Sequence, residues 1–187
     1  GIVVTAAIGT GGGVLTGTNP VATISGGVAA LTDLVMTGLV GGRTLDFTAT
    51  GITGVTSAPF TLEAGLPAQL AIHAGDNDSA TAGTAVPIPP SAQVTDASAN
   101  PVAGVDVTFA VDSGGGVVVP TTPVPTDTAG LATVTNWTLG PLAGRNTLTA
   151  NAAGLAGSPL TFHATAMVGA ATSISKSSGD SLTGPVS

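Results

Sequence analysis

Apolar and polar side chains alternate with a period of two along much of the chain. Val105, Val107, Phe109 and Val111 fall between Asp106, Thr108, Ala110 and Asp112. Successive side chains of a strand point to opposite faces, so this spacing predicts a strand with one buried side. Ile2, Val4, Ala6 and Ile8 repeat the pattern, as do Leu148, Ala150 and Ala152, and Leu160, Phe162 and Ala164. Gly, Pro, Asn and Asp interrupt these runs at roughly ten-residue spacing, the punctuation of an antiparallel β-sandwich. No stretch shows the 3.6-residue spacing of a capped helix, and almost no helix is expected.

The parity of the pattern changes once in each half. Ala132 and Val134 fall on one side of the predicted strand, Trp137 and Leu139 on the other. The step from Leu31 to Leu34 is the same. A β-bulge near Asn136 and Asp33 would restore a single inward face, and one is expected there.

The halves are related. Gly1-Ile-Val-Val-Thr returns as Gly104-Val-Asp-Val-Thr, a spacing of 103 residues, and both stretches run on into a Gly-Gly-Gly turn. Gly27 and Gly130, Gly41 and Gly144, and Gly51 and Gly154 keep that spacing. A repeat of this length is the size of a domain, so each copy should fold around its own core. Short junctions at Leu66-Pro67-Ala68 and Val168-Gly169-Ala170 divide the chain into 1–66, 67–169 and 170–187. Residues 67–169 form a complete copy, 1–66 lack its opening strands, and 170–187 carry only an opening strand. The part missing before Gly1 corresponds to Ala85–Ala103, which includes a strand expected around Gln93–Asp96. Unpaired edges would be left there, so the chain is expected either to continue at both ends or to be completed by a neighbouring molecule. A start at Gly1 without Met fits processing, or a piece of something longer.

Composition narrows the function. At 43% apolar residues the chain can build cores, so disorder is not expected despite 28 Gly. Only Arg43, Arg145 and Lys176 are cationic, and the net charge is −7. Such a surface has no basic footprint for phosphates, which excludes nucleic acid as a partner and disfavours anionic membranes. No apolar run is long enough to span a bilayer as a helix. With no cysteine there is neither a disulfide nor a thiolate metal site.

Gln93-Val-Thr-Asp-Ala-Ser-Ala-Asn-Pro-Val-Ala-Gly104 leads into a strand ending at Ser113-Gly-Gly-Gly116. Thr126-Asp-Thr-Ala-Gly-Leu-Ala-Thr-Val134, Trp137-Thr-Leu-Gly140, Gly144-Arg-Asn-Thr-Leu148 and Phe162-His-Ala-Thr165 follow. Together these motifs resemble the bacterial immunoglobulin-like repeats of the invasin and intimin type. The likeness covers 67–169 and, more loosely, 1–66, where Leu34 replaces Trp137 and Gly38 replaces Pro141. It implies tandem immunoglobulin-like sandwiches in an adhesin stalk or extracellular fibre at the bacterial surface.

No residue pattern points to catalysis. Gly11-Gly-Gly13 and Gly114-Gly-Gly116 lack the Lys-Ser/Thr and the helix start of a phosphate loop and read as turns with positive φ. His73 and His163 stand on or beside strands with no nucleophile at a motif spacing. Asp76 and Asp78, with Asn77 and Asp127, are oxygen donors that would suit Ca²⁺ at the junction, and Asp180 recurs near the next one. Asx turns are the competing account of the same residues. A sugar-binding reading would rest on Trp137 alone, since the chain has no Tyr.

The chain is therefore expected to be a non-enzymatic spacer whose partners are adjacent repeats or copies of itself, arranged head to tail. The alternative makes the ends functional. Ile174, Ser175 and Lys176 would then form a donor strand that completes the sandwich containing Ile2 and Val4 of the next subunit.

Overall fold

The computed structural model describes residues 1–175, 177 and 184. The first half carries β1 (Val3–Thr10), β2 (Val14–Thr16), β3 (Val21–Ala22), β4 (Val35–Thr37), β5 (Gly41–Ala49), β6 (Ile52–Thr56) and β7 (Phe60–Leu62). Next come β8 (Pro67–Ala74), β9 (Asp78–Thr81), β10 (Ser91–Asp96), β11 (Asp106–Ser113), β12 (Gly116–Val119) and β13 (Val124–Pro125). The last four are β14 (Leu131–Thr133), β15 (Asn136–Leu139), β16 (Gly144–Asn151) and β17 (Leu160–Met167). There is no helix among the described residues. The chain is all-β.

Strands β8–β17 build a two-layer sandwich. One sheet runs β14-β10-β8 and the other β13-β11-β16-β17-β9, with the ladder β12-β15 alongside. Every strand-to-strand ladder here is antiparallel except β9 beside β17. The strand expected at Gln93–Asp96 is β10. Alternation places Val107, Phe109, Leu148, Ala150, Phe162 and Ala164 on the inner face of one sheet, and Leu70, Ala92, Val94 and Ala132 on that of the other. Across the ladders Phe109 stands opposite the small Ala150, and Phe162 opposite Leu148. The Phe109 and Phe162 rings are tilted by 42° with centroids 6.3 Å apart. Burying side chains of this size contributes roughly 1.5–3 kcal/mol each. Trp137 is the largest residue in this core and is 0% exposed.

The parity change at Trp137 has a different cause from the bulge expected there. The chain switches ladders. Strand β14 pairs with β10, whereas β15 pairs with β12, and the crossing occupies Val134 and Thr135. Val134 N donates to Pro90 O at 3.1 Å and Thr135 N to Val119 O at 2.8 Å, so the crossing leaves no orphan amide. Ala132, Val134, Trp137 and Leu139 all end up buried. The register does slip elsewhere, and two of these places, between Ile8 and Thr10 and between Val111 and Ser113, are equivalent in the two copies.

Strands β1–β7 build one sheet, ordered β3-β1-β5-β6 with β7 also on β5, and a separate ladder of β2 and β4. None of them pairs with β8–β17. This sheet has no equivalent of the β14-β10-β8 layer among the described residues. The consequence is plain in its side chains: Ala6 is the one apolar residue of this half that is fully buried, and Ile2, Ile24, Val28, Ile52 and Val55 are exposed.

Beyond β17 the expected opening strand is not formed over 171–175, and Ile174 is 100% exposed. Lys176 and Asp180 lie outside the described residues.

Candidate functional site

The best-built polar site lies where residues 1–66 meet the second sandwich. It is a five-residue turn, Asp96-Ala-Ser-Ala-Asn100, at the end of β10. Asp96 N donates to Asn100 O at 2.9 Å and closes the turn, while Ala99 takes a left-handed φ of 64°. Within it, Asp96 Oδ1 accepts from Ser98 N at 2.8 Å and from Asn100 N at 2.9 Å. Asp96 Oδ2 accepts from Asn100 Nδ2 at 2.9 Å.

The same two side chains then reach the first sheet's loops. Asn100 Nδ2 donates to Gly38 O at 2.9 Å, and Asn100 Oδ1 accepts from Val40 N at 2.8 Å. Asp96 Oδ2 also accepts from Gly65 N at 2.8 Å. Three main-chain groups of residues 38–65 are thus held by one Asp–Asn pair. Both side chains are buried. Burial pushes the Asp96 carboxyl up. The hydrogen bonds from the Asn100 side chain and from the Gly65, Asn100 and Ser98 amides outweigh it and hold it below its ordinary 3.8, at about 2. A cleft of about 100 Å³ beside the clamp is lined by Met36, Leu62, Glu63, Asp96 and Ser98.

Sequence reasoning quoted Asp96 and Asn100 as part of a motif and missed their role. The available signal was an Asx residue four positions before an Asn-Pro, which marks a closed turn and hence side chains free to bond elsewhere.

The residues singled out in advance are dispersed. Asp76 Oδ1 accepts from His163 N at 2.7 Å and lies 3.3 Å from His163 Nδ1, while Asn77 Nδ2 donates to Asp76 Oδ2. Asp78 accepts from Ser79 N and Ile88 N. Asp127 Oδ1 accepts from Ala129 N and Leu131 N, an Asx turn. These carboxylates therefore serve the backbone, and no group of three acidic or histidine residues converges among the described residues. His73 is exposed on β8. The glycine turns carry positive φ throughout, from 65° at Gly12 to 122° at Gly13 and from 78° at Gly115 to 95° at Gly116. Trp137, wholly inside the core, offers no platform to a sugar, which removes the residue that reading needed.

Ile2 and Val4 do come together, with Phe47, Ala49, Ile52 and Val55, around an open groove of about 190 Å³. Val4 is paired on both sides, to Val21 and to Ala49, so β1 has no free edge there. The outer strands of this sheet are β3 and β6, and β6 is the one beside the groove. Ile174 and Ser175 are exposed and away from this groove's lining.

The two facing sheets of β8–β17, with their antiparallel ladders and inward alternation, make an immunoglobulin-like sandwich. No family model matches the chain. No curated protein matches it either. Solved structures similar to it include the Escherichia coli adhesin FdeC, at 23% identity and a TM-score of 0.48 over 88% of this chain and 54% of that one. The Yersinia pseudotuberculosis adhesin InvE is similar at 21% identity and a TM-score of 0.44, over 90% of this chain and 49% of that one. The D0-D1 domain of intimin is similar at 18% identity and a TM-score of 0.37, over 87% of this chain and 78% of that one. The chain spans about half the length of FdeC and InvE.

Proposed function

We propose that the chain is a structural, non-enzymatic module of an extracellular bacterial surface protein, serving reach and stiffness in an adhesin stalk or fibre. The observation that carries this reading is the Asp96–Asn100 clamp. Domains of one chain move relative to each other by default unless something fixes the joint. Here two buried side chains tie residues 38–65 to the end of β10 through three hydrogen bonds. A joint of that kind transmits orientation and force, which is the work of a spacer. The best-built polar cluster serves the joint, and its donors and acceptors are taken up by main-chain groups and by each other.

Small-angle X-ray scattering of the native chain and of Asn100→Ala tests this. The native chain is expected to give a single sharp distance distribution, and the variant a broadened one. Identical profiles would mean that the clamp does not set the joint.

A second reading is favoured by the uncovered face of the first sheet. There the chain is a filament subunit, joined head to tail by donation of its C-terminal segment.

A further inference from the structure

Gly154-Leu-Ala-Gly157 has a counterpart 103 residues earlier in Gly51-Ile-Thr-Gly54. In the complete sandwich the opening strand β8 ladders with β10 on one side and is bridged to this segment on the other. Leu70 N donates to Ala156 O at 2.8 Å and Ala156 N to Ala68 O at 2.9 Å, around a parallel bridge between Gln69 and Ala156. Gly157 is so close that a Cβ there would stand 2.4 Å from Leu70 O. The strand held this way puts Leu70, 2% exposed, into one cluster with Val107, Phe109 and Leu148.

In the first half the counterpart segment forms β6, an edge strand that pairs only with β5. Ile52 is 55% exposed, and the groove lined by Ile2, Val4, Phe47 and Val55 opens beside it. An apolar groove next to an unpaired edge is a template for an added strand. The complete sandwich shows what kind of strand fits: one like β8, with a branched aliphatic residue at Leu70's position. Aligning Gly75-Asp76 with Gly179-Asp180, one residue more than the 103-residue spacing of the copies, places Ile174 opposite Leu70.

We propose that β6 and its groove receive the C-terminal segment of a second copy of the chain, with Ile174 seated between Val4, Phe47, Ile52 and Val55. This deepens the filament reading and rests on the sandwich architecture, not on the clamp. Main-chain hydrogen bonds to β6 hold the segment, and the Ile174 pocket fixes its register. Donor and acceptor lie on different parts of each copy, so the contact is heterologous and adds subunits in one direction.

Sedimentation and thiol cross-linking of the full chain test this. The native chain is expected to sediment as multiples of 17.6 kDa. Ile174→Asp and Ile52→Asp, made separately, should each return it to the mass of one chain, with unchanged far-UV circular dichroism and Trp137 emission. The chain has no cysteine, so oxidation of an Ile174→Cys/Val55→Cys double variant should give a disulfide ladder beyond the dimer, and each single variant at most a dimer. A native chain that stays at the mass of one chain at all concentrations overturns the proposal and leaves the spacer reading intact. Assembly that survives Ile174→Asp but not Ile52→Asp overturns it in favour of two open faces packing together. A cross-link confined to one chain overturns it too.

Discussion

Asn100 and Val40 lie 60 residues apart in sequence, and Val40 N donates to Asn100 Oδ1 at 2.8 Å across the joint between the two halves. Because the Asn100 amide also donates to Gly38 O, one side chain satisfies a donor and an acceptor of the same loop. Truncating it strands both groups and leaves Asp96 Oδ2 with Gly65 N alone. Asn100→Ala is expected to destabilise the fold by roughly 1–3 kcal/mol, the cost of leaving buried polar groups unmade. Urea denaturation, with Asn100→Asp as the near-isosteric comparison, measures it.

The clamp should also show in acid. The folded Asp96 carboxyl sits at about 2 against 3.8 ordinarily, so its contribution is fully present above 3.8 and is lost as pH falls towards 2. The Thr18 hydroxyl and amide likewise hold Asp33 below its ordinary value, giving a contribution of the same sign. Stability measured by urea between pH 4 and pH 2 should therefore fall, and Asp96→Asn should flatten part of that fall. An unchanged slope in Asp96→Asn would show that another group supplies it.

Trp137 is the lone tryptophan and is wholly buried in the second sandwich. Its emission should shift to the red when that sandwich unfolds and stay silent when only β1–β7 open. Trp137→Ala empties the centre of the core and should cost roughly 3–5 kcal/mol in chemical denaturation.

Much of this architecture was legible because alternation is a local signal. Val105 to Val111 and Leu160 to Ala164 announce strands whichever residues they meet. The crossing at Val134 and Thr135 was not legible, since a ladder switch and a bulge shift parity in the same way and differ only in the partner strand. The clamp was half legible. Asp96 and Asn100 mark a turn by their chemistry, but Gly38, Val40 and Gly65 contribute main-chain groups, which carry no residue preference to read. Unpaired edges were expected in the first copy from its missing strands, and the outer strand beside the groove around Ile2 and Val4 is β6.

Gly140 illustrates a constraint set by packing. A Cβ at this position would meet Gly114 O at 1.8 Å, so backbone occupies the space a side chain needs. Gly140→Ala must push the Gly114 turn away from β15, and a loss of roughly 1–3 kcal/mol is expected on thermal or urea unfolding.

Residual dipolar couplings of backbone amides test the central claim most directly, by comparing β1 and β5 with β11, β16 and β17. A fixed joint predicts that one alignment tensor fits both sets in the native chain, and that Asn100→Ala needs two. Two unequal tensors in the native chain would contradict the account, because the halves would then turn freely and no stiffness could pass through the clamp.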